Sequence, residues 1–450
     1  MSFNIGLSGL YAANKQLDVT GNNIANVATT GFKSSRVEFE DVYAASKLGN
    51  GNKSIGSGVS LANVSQQFRQ GDVTNTGNVL DMAIRGSGFF VLNDGGSLTY
   101  TRAGTFNVDK DGFITNSAGT ARLQGYAVDE NGKILKDVIG DLKIDQANLQ
   151  PKTTGNISSS INLNSSKPII DPAVTPFDPT KIGTYTDMFT TPIYDSQGNQ
   201  HNLDQYVVKT GANTWQTYTL VGGRNPDGSA FVPAGLGSPP ATPSNQAAMT
   251  MNFGSDGKLL DIDAPASGSP YTVSGNSIVM GADVWTPGTV KDGVWTANGA
   301  VGNATGVTND LALTTQYNSA TIRNLPTQDG YATGQITNLT IDGTGTLFAN
   351  FSNSKSKAIG QVTLASFNNE QGLQAAGGTS WKETYLSGFA AYDAGQTGTL
   401  GSVVSNSLED SNVNLTNELV DLIKGQSNYQ ANAKTISTQS TIMQTIIQMA

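Results

Sequence analysis

The 450-residue chain predicts a mainly β protein with terminal α-helices. Two nested β domains are inserted between N- and C-terminal helices that pair as a coiled coil. Three observations carry this expectation. Apolar stripes at coiled-coil spacing occupy both ends of the chain. Asp-Gly dipeptides punctuate the stretch between them. All 15 prolines fall between Pro151 and Pro326.

Steps of four and three from the N-terminus meet Phe3, Leu7, Leu10, Asn14, Leu17, Gly21, Ile24 and Ala28. This spacing predicts a helix over 3–28 within a terminal segment 1–33. The Asn, Thr and Gly content of NNIANVATTGFK, Asn22–Lys33, ends it near Gly31. Residues 34–75 are rich in Gly, Ser and Asn, with a short amphipathic piece around Val37–Tyr43. They read as an extended linker with little core of its own.

From Thr76 the punctuation changes. Asp94-Gly95, Asp111-Gly112, Asp227-Gly228, Asp256-Gly257, Asp292-Gly293, Asp342-Gly343 and Asn131-Gly132 favour tight turns with positive φ. Strand-like runs lie between them, such as Phe89–Leu92 and the alternating Leu347, Ala349 and Phe351. No long helical period appears before Val404. Residues 76–150 and 331–405 are free of proline and are assigned to one inner β domain in two parts. Residues 151–330 are the outer β domain inserted into it. The C-terminal helix is assigned to 406–450, which needs proline-free sequence as the first helix does.

The C-terminal stripe runs through Leu415, Leu419, Leu422, Gln426, Tyr429, Ala433, Ile436, Ser440, Met443, Ile447 and Ala450. Such a stripe is most often an ordinary core face. Here its flanks are Ser, Thr, Asn and Gln, with Glu418, Asp421, Lys424 and Lys434 as the charges. A surface helix of a globular domain carries more Glu and Lys. The pair is therefore expected to be marginal alone and stable when packed against further helices. Asn14 and Gln426 interrupt the two stripes. Buried, they would fix register and partner number; otherwise they face water.

Composition excludes several classes. Charged residues make up 14% against about a quarter in ordinary proteins, and the net charge is −9 with no basic cluster, which argues against nucleic-acid binding. No apolar run is long enough to span a membrane, so no membrane insertion is expected. The start lacks the basic region, apolar core and cleavage site of a secretory signal. The absence of cysteine removes disulfides, thiolate metal sites and cysteine nucleophiles.

No chemical motif survives inspection. Asp109, Asp111 and Gly112 begin like a calcium loop, but Phe113 and Thr120 stand where oxygen ligands belong, so a hairpin turn is expected. His201 is the single histidine, which rules out a two-histidine metal site, and a surface role is its default. Gly86-Ser-Gly88 precedes a strand run without the helix that a dinucleotide site needs. No nucleophile elbow or phosphate loop occurs. Trp215, Trp285, Trp295 and Trp381 are expected in core or hairpin packing. No catalytic residue, metal or cofactor is assigned, and the chain is expected not to be an enzyme.

Longer motifs resemble the axial proteins of the bacterial flagellum. MSFNIGLSGLYAANKQLDVTGNNIANVATTGFKSS at the start is similar to the signature of rod and hook proteins. RGSGFFVLND, Arg85–Asp94, and YTRAGTFNVDKDGFITNSAGTARLQGY, Tyr100–Tyr126, resemble their inner-domain motifs. SLEDSNVNLTNELVDLI, Ser407–Ile423, resembles their C-terminal signature. Within this family, TTPIYDSQGNQHNL at Thr190–Leu203 followed by Trp215, and LASFNNEQGLQAAGG at Leu364–Gly378, resemble the hook branch. Residues 267–318 match no familiar pattern.

The resemblance implies a structural subunit that polymerises into a bendable hollow tube. Such a tube transmits motor torque from rod to filament as a universal joint. The terminal stripes would be subunit interfaces. The implied partners are further copies in a helical filament, the distal rod protein, the hook cap protein, the hook–filament junction protein and the flagellar export apparatus. The implied location is extracellular, reached without a cleaved signal peptide. A distal rod protein and, further off, a secreted β-rich adhesin are the alternatives.

Overall fold

A computed structural model describes residues 2–42, 56–129, 132–145, 147–233, 248–264 and 269–449. The chain is mainly β, with helix α1 (Ser2–Ala25) at one end and helix α2 (Leu415–Met449) at the other. It divides into two compact units. One comprises Met1–Gln146, Thr337–Asn350 and Ser356–Ala450; the other comprises Ala147–Ile336 and Phe351–Lys355.

In the first unit the two helices contact each other, as expected. Helix α1 stops at Ala25 and gives way to turns, earlier than the expected 28; there the Asn26 side chain donates to the Asn22 carbonyl at 2.9 Å and so competes for a helix backbone group. Residues 34–75 are more than a connector. Ser35–Asp41 and Val59–Gln66 form an antiparallel hairpin against α1, where Ser8 Oγ accepts the Val59 N–H at 3.3 Å. The amphipathic piece beginning at Val37 is the first of these strands, and Tyr43 lies outside the described residues. Phe68 then docks edge-on to Phe89 and Trp381, at 5.7 and 5.5 Å between ring centroids.

The sheet core of this unit depends on strand Ser356–Ser366. It pairs with Thr346–Phe351, Arg122–Val128, Phe89–Asp94 and Ala391–Ala394, so the returning chain closes on the outgoing one. Phe89–Asp94 is buried on both faces. Phe90 and Leu92 meet Phe106, Leu123 and Val362 on one side; Phe89 and Val91 meet Tyr100 and Trp381 on the other. Residues 402–409, partly assigned to the C-terminal helix, are instead strands Ser402–Ser405 and Ser407–Glu409, paired with Met82–Arg85 and Val73–Asn75. Helix α2 begins only after Asn414, whose side chain caps the Asn417 N–H at 3.1 Å.

In the second unit, Asp187–Tyr194, Gln200–Lys209, Thr214–Val221, Met249–Phe253 and Leu259–Asp263 form a five-stranded antiparallel sheet. Its central strands alternate. Val207 and Trp215 enter one core with Ile193, Met251 and Ile278, while Tyr206, Val208, Tyr218 and Leu220 enter another around Phe177. The described part of 267–318 forms strands, including Ser277–Met280 beside Val307–Asp310. Asp292 and Gly293 both have positive φ, 52° and 80°, and close a two-residue hairpin between Gly288–Lys291 and Val294–Ala297. At Asp342-Gly343 the positive φ falls two residues later, on Gly345. The turn at Asn131-Gly132 includes Asn131, which lies outside the described residues.

Candidate functional site

The helix pair is antiparallel. Asn23 reaches Glu418, Leu17 packs on Gly425, Gly9 meets Asn432 and Gly6 meets Ile436. Small residues permit this approach. A Cβ on Gly425 would lie 2.9 Å from Leu17 Cδ2, and one on Gly6 would lie 3.0 Å from Ile436 Cγ1. Among the described residues, Gly6, Ala13, Thr20 and Asn23 are buried on α1 and Gly425 on α2. On each helix this stripe lies one position before the apolar stripe read from the sequence.

The expected seam residues therefore divide. Leu10, Leu17, Ile24, Leu422, Ala433 and Ile436 are half-buried. Phe3, Leu7, Asn14, Leu415, Leu419, Gln426, Tyr429, Met443 and Ile447 are exposed, as is Ala28 beyond the end of α1. Ala450 lies outside the described residues. Tyr11, Val420, Ile423, Ile442, Ile446 and Met449 add further exposed apolar surface. Asn14 and Gln426 both face outward within the single chain.

Beneath the pair sits a buried charge cluster that the sequence reading missed. Lys33 Nζ lies 2.6 Å from Glu409 Oε1, and Arg102 Nη1 lies 3.2 Å from Glu409 Oε2. Glu409 also accepts the Gly71 N–H at 3.0 Å, and Lys33 donates to the Arg69 carbonyl at 2.8 Å. Burial pulls Lys33 and Arg102 below their ordinary ranges, with Glu409 pulling both back up. Nearby, Asn412 donates to the Gln67 and Arg69 carbonyls and accepts the Ser34 N–H. Gly31 has φ 69°, and a Cβ there would lie 2.4 Å from Ala103 N. Both chain crossings into the helices are thus tied to one carboxylate. The quoted motifs contained Lys33 and Glu409, but their sequence separation hides the pairing.

The remaining motifs resolve as structure. Asp109 Oδ1 accepts the N–H groups of Asp111 and Phe113, making the expected hairpin turn. His201 is half-buried rather than freely exposed. It stands on strand Gln200–Lys209, with Nε2 2.9 Å from the buried Asp195 carboxylate and its ring edge-on to Trp285. Burial pushes Asp195 up, but hydrogen bonds from His201, Asn199 and Asn298 outweigh it and hold the carboxyl at about 2. A cavity of about 510 Å³ opens beside His201, Trp285 and Trp295. Trp215, Trp285 and Trp381 are buried, whereas Trp295 is half-buried against Gly228 and Gly288. Among the described residues no group of His, Asp and Glu could hold a metal ion, and no helix is long and apolar enough to cross a membrane.

Comparison with known proteins gives a consistent result. Residues 3–33 match the model described as Flagella basal body rod protein, and residues 83–160 match Flagellar hook protein FlgE/F/G D1 domain. Residues 162–331 match Flagellar basal body protein FlaE D2 domain, and residues 404–449 match Flagellar basal body rod FlgEFG protein C-terminal. The chain is 35% identical to the flagellar hook protein FlgE of Escherichia coli strain K12 and 36% identical to that of Salmonella typhimurium strain LT2, over the full length of each. It is 32% identical to the hook protein of Borreliella burgdorferi, covering 99% of this chain and 98% of that one.

Proposed function

Because the chain belongs to the flagellar hook protein family, a non-enzymatic family of hook subunits, we propose how its parts build and work the hook. The exposed apolar stripes of α1 and α2 are the copy-to-copy contacts of a hollow helical tube. One observation carries this reading: the two helices meet through small residues while Phe3, Leu7, Leu415, Leu419 and Ile447 stay exposed. Apolar area of that extent on an ordered helix pair needs covering. Contacts that repeat head to tail without closing generate a filament.

Residues 151–330 form a separate domain whose contacts with neighbouring copies exchange as the tube bends, passing torque from rod to filament as a universal joint. The compactness of Ala147–Ile336 together with its own buried cores supports this. The distal rod protein, the hook cap, the junction protein and the flagellar export apparatus are its further partners. Export through that apparatus is its route out of the cell. Electron microscopy of the purified chain in polymerising salt tests the reading. Curved tubes are expected. Straight stiff rods would favour a distal rod protein, and the absence of any polymer would overturn the assignment of the stripes.

A further inference from the structure

A second exposed apolar surface lies on the loop between strands Ser380–Lys382 and Ala391–Ala394. Its sequence, Glu383–Ala390, is ETYLSGFA. Tyr385 is 100% exposed, Phe389 92% and Leu386 73%. Three large apolar side chains on one short loop bury almost nothing in their own chain.

The loop that presents them is nevertheless tightly built. Ser387 is fully buried and its hydroxyl donates to the Thr384 carbonyl at 2.9 Å, while the Thr384 N–H donates back to Ser387 Oγ at 2.9 Å. Thr384 Oγ1 donates to the Gly372 carbonyl at 2.6 Å and accepts the Leu386 N–H at 3.1 Å. Asn369 Nδ2 donates to the Leu386 carbonyl at 3.0 Å. The backbone of Gly372 lies so close that a Cβ there would stand 2.4 Å from the Ser387 N–H nitrogen. Gly388 takes φ 75°, which turns Phe389 outward with its neighbours.

Fixing a loop costs conformational entropy, and here no burial of its tip returns that cost within the chain. A rigid turn with aromatic anchors is what a binding hot spot requires, because the ordering cost is met before the partner arrives. We infer that Tyr385, Leu386 and Phe389 form a preformed knob that inserts into a second copy of this chain. The inference rests on the self-assembly proposed above. The choice of a second copy follows from a family whose members polymerise with themselves. The knob and the helix stripes would then be two separate contacts between copies, on different elements of one unit.

The chain has no cysteine, so a single introduced thiol reports cleanly. Full-length Tyr385→Cys is treated with a maleimide as dilute monomer and again after assembly in polymerising salt. Labelling should slow at least roughly tenfold on assembly. Full-length Tyr385→Ser/Phe389→Ser should melt as the parent does and need roughly tenfold more protein to polymerise, as loss of a hot spot implies. Equal labelling in monomer and tube, or an unchanged polymerisation threshold, overturns the knob while leaving the tube reading intact. Parent chain that forms no tubes refutes the tube reading itself. Labelling blocked already in dilute monomer would show that the loop packs within its own chain.

Discussion

The helix pair and the sheet cores of Ala147–Ile336 use apolar residues in opposite ways. In the sheets, Ile193, Trp215, Met251 and Ile278 are buried at once by their own chain. In the helices, Gly6 and Gly425 admit Ile436 and Leu17, while Phe3, Leu7, Leu415, Leu419 and Ile447 stay exposed. A sheet core that closes on itself gives a unit stable as a monomer. A helix pair joined by small residues keeps its hydrophobic area for other copies, and owes its placement to the polar cluster at its base.

Breaking that base should have the largest effect. Glu409→Ala leaves Lys33 and Arg102 buried beside each other without their carboxylate. Removing one partner of a buried ion pair costs about 3–5 kcal/mol. Urea denaturation should show an early transition for the helix-bearing unit and an unshifted one for Ala147–Ile336. The double change Lys33→Met/Glu409→Gln should cost less than the sum of its single changes, the signature of coupled residues.

The other region has its own polar anchor, with a smaller effect. Asp195 is held at about 2 against an ordinary 3.8, so the unfolded chain binds the proton first. Its stabilisation is present above pH 3.8 and is lost as the pH falls toward 2. A shift of this size corresponds to about 2 kcal/mol. Asp195→Asn should therefore lower the stability of Ala147–Ile336 by about 2 kcal/mol at neutral pH, and the difference should vanish near pH 2. Acid denaturation curves of the two chains that stay parallel down to that pH would contradict the assignment.

The difference between the regions also explains what could be read in advance. Helix periodicity and Asp-Gly chemistry are local, so both helices and turns such as Asp111-Gly112 and Asp292-Gly293 were legible. The apolar stripes were legible too, but not which stripe the partner helix covers. Gly6, Gly9 and Gly425 carry no hydrophobic signal, and only their missing Cβ atoms admit the close approach. The Lys33–Glu409–Arg102 cluster joins residues from opposite ends of the chain, and no spacing rule marks it. The partner of His201, Asp195, lies across a turn, and nothing in the local sequence marks the pair. Tyr385, Leu386 and Phe389 look like core residues in sequence, and only the loop geometry turns them outward.

The smallest effect on the monomer sharpens the comparison most. In the antiparallel register, Gly6 stands opposite Ile436 and Gly9 opposite Asn432, so the start of α1 is level with about Ser440. The remainder of α2 to Met449 runs on for roughly 15 Å at 1.5 Å per residue. Ile442, Met443, Ile446, Ile447 and Met449 on this stretch are all exposed. Met443→Ser/Ile447→Ser removes large apolar groups that touch little in their own chain, so the monomer should change by less than about 0.5 kcal/mol. Assembly should respond quite differently if these residues are covered by another copy, and the protein concentration needed for polymerisation should rise. A chemical melt of the monomer and a sedimentation assay of the polymer, run on the same preparation, separate the two quantities. A loss of monomer stability above about 1 kcal/mol would show that the last turns of α2 fold back onto their own chain. An unchanged polymerisation threshold would leave the end of the helix outside the contacts between copies.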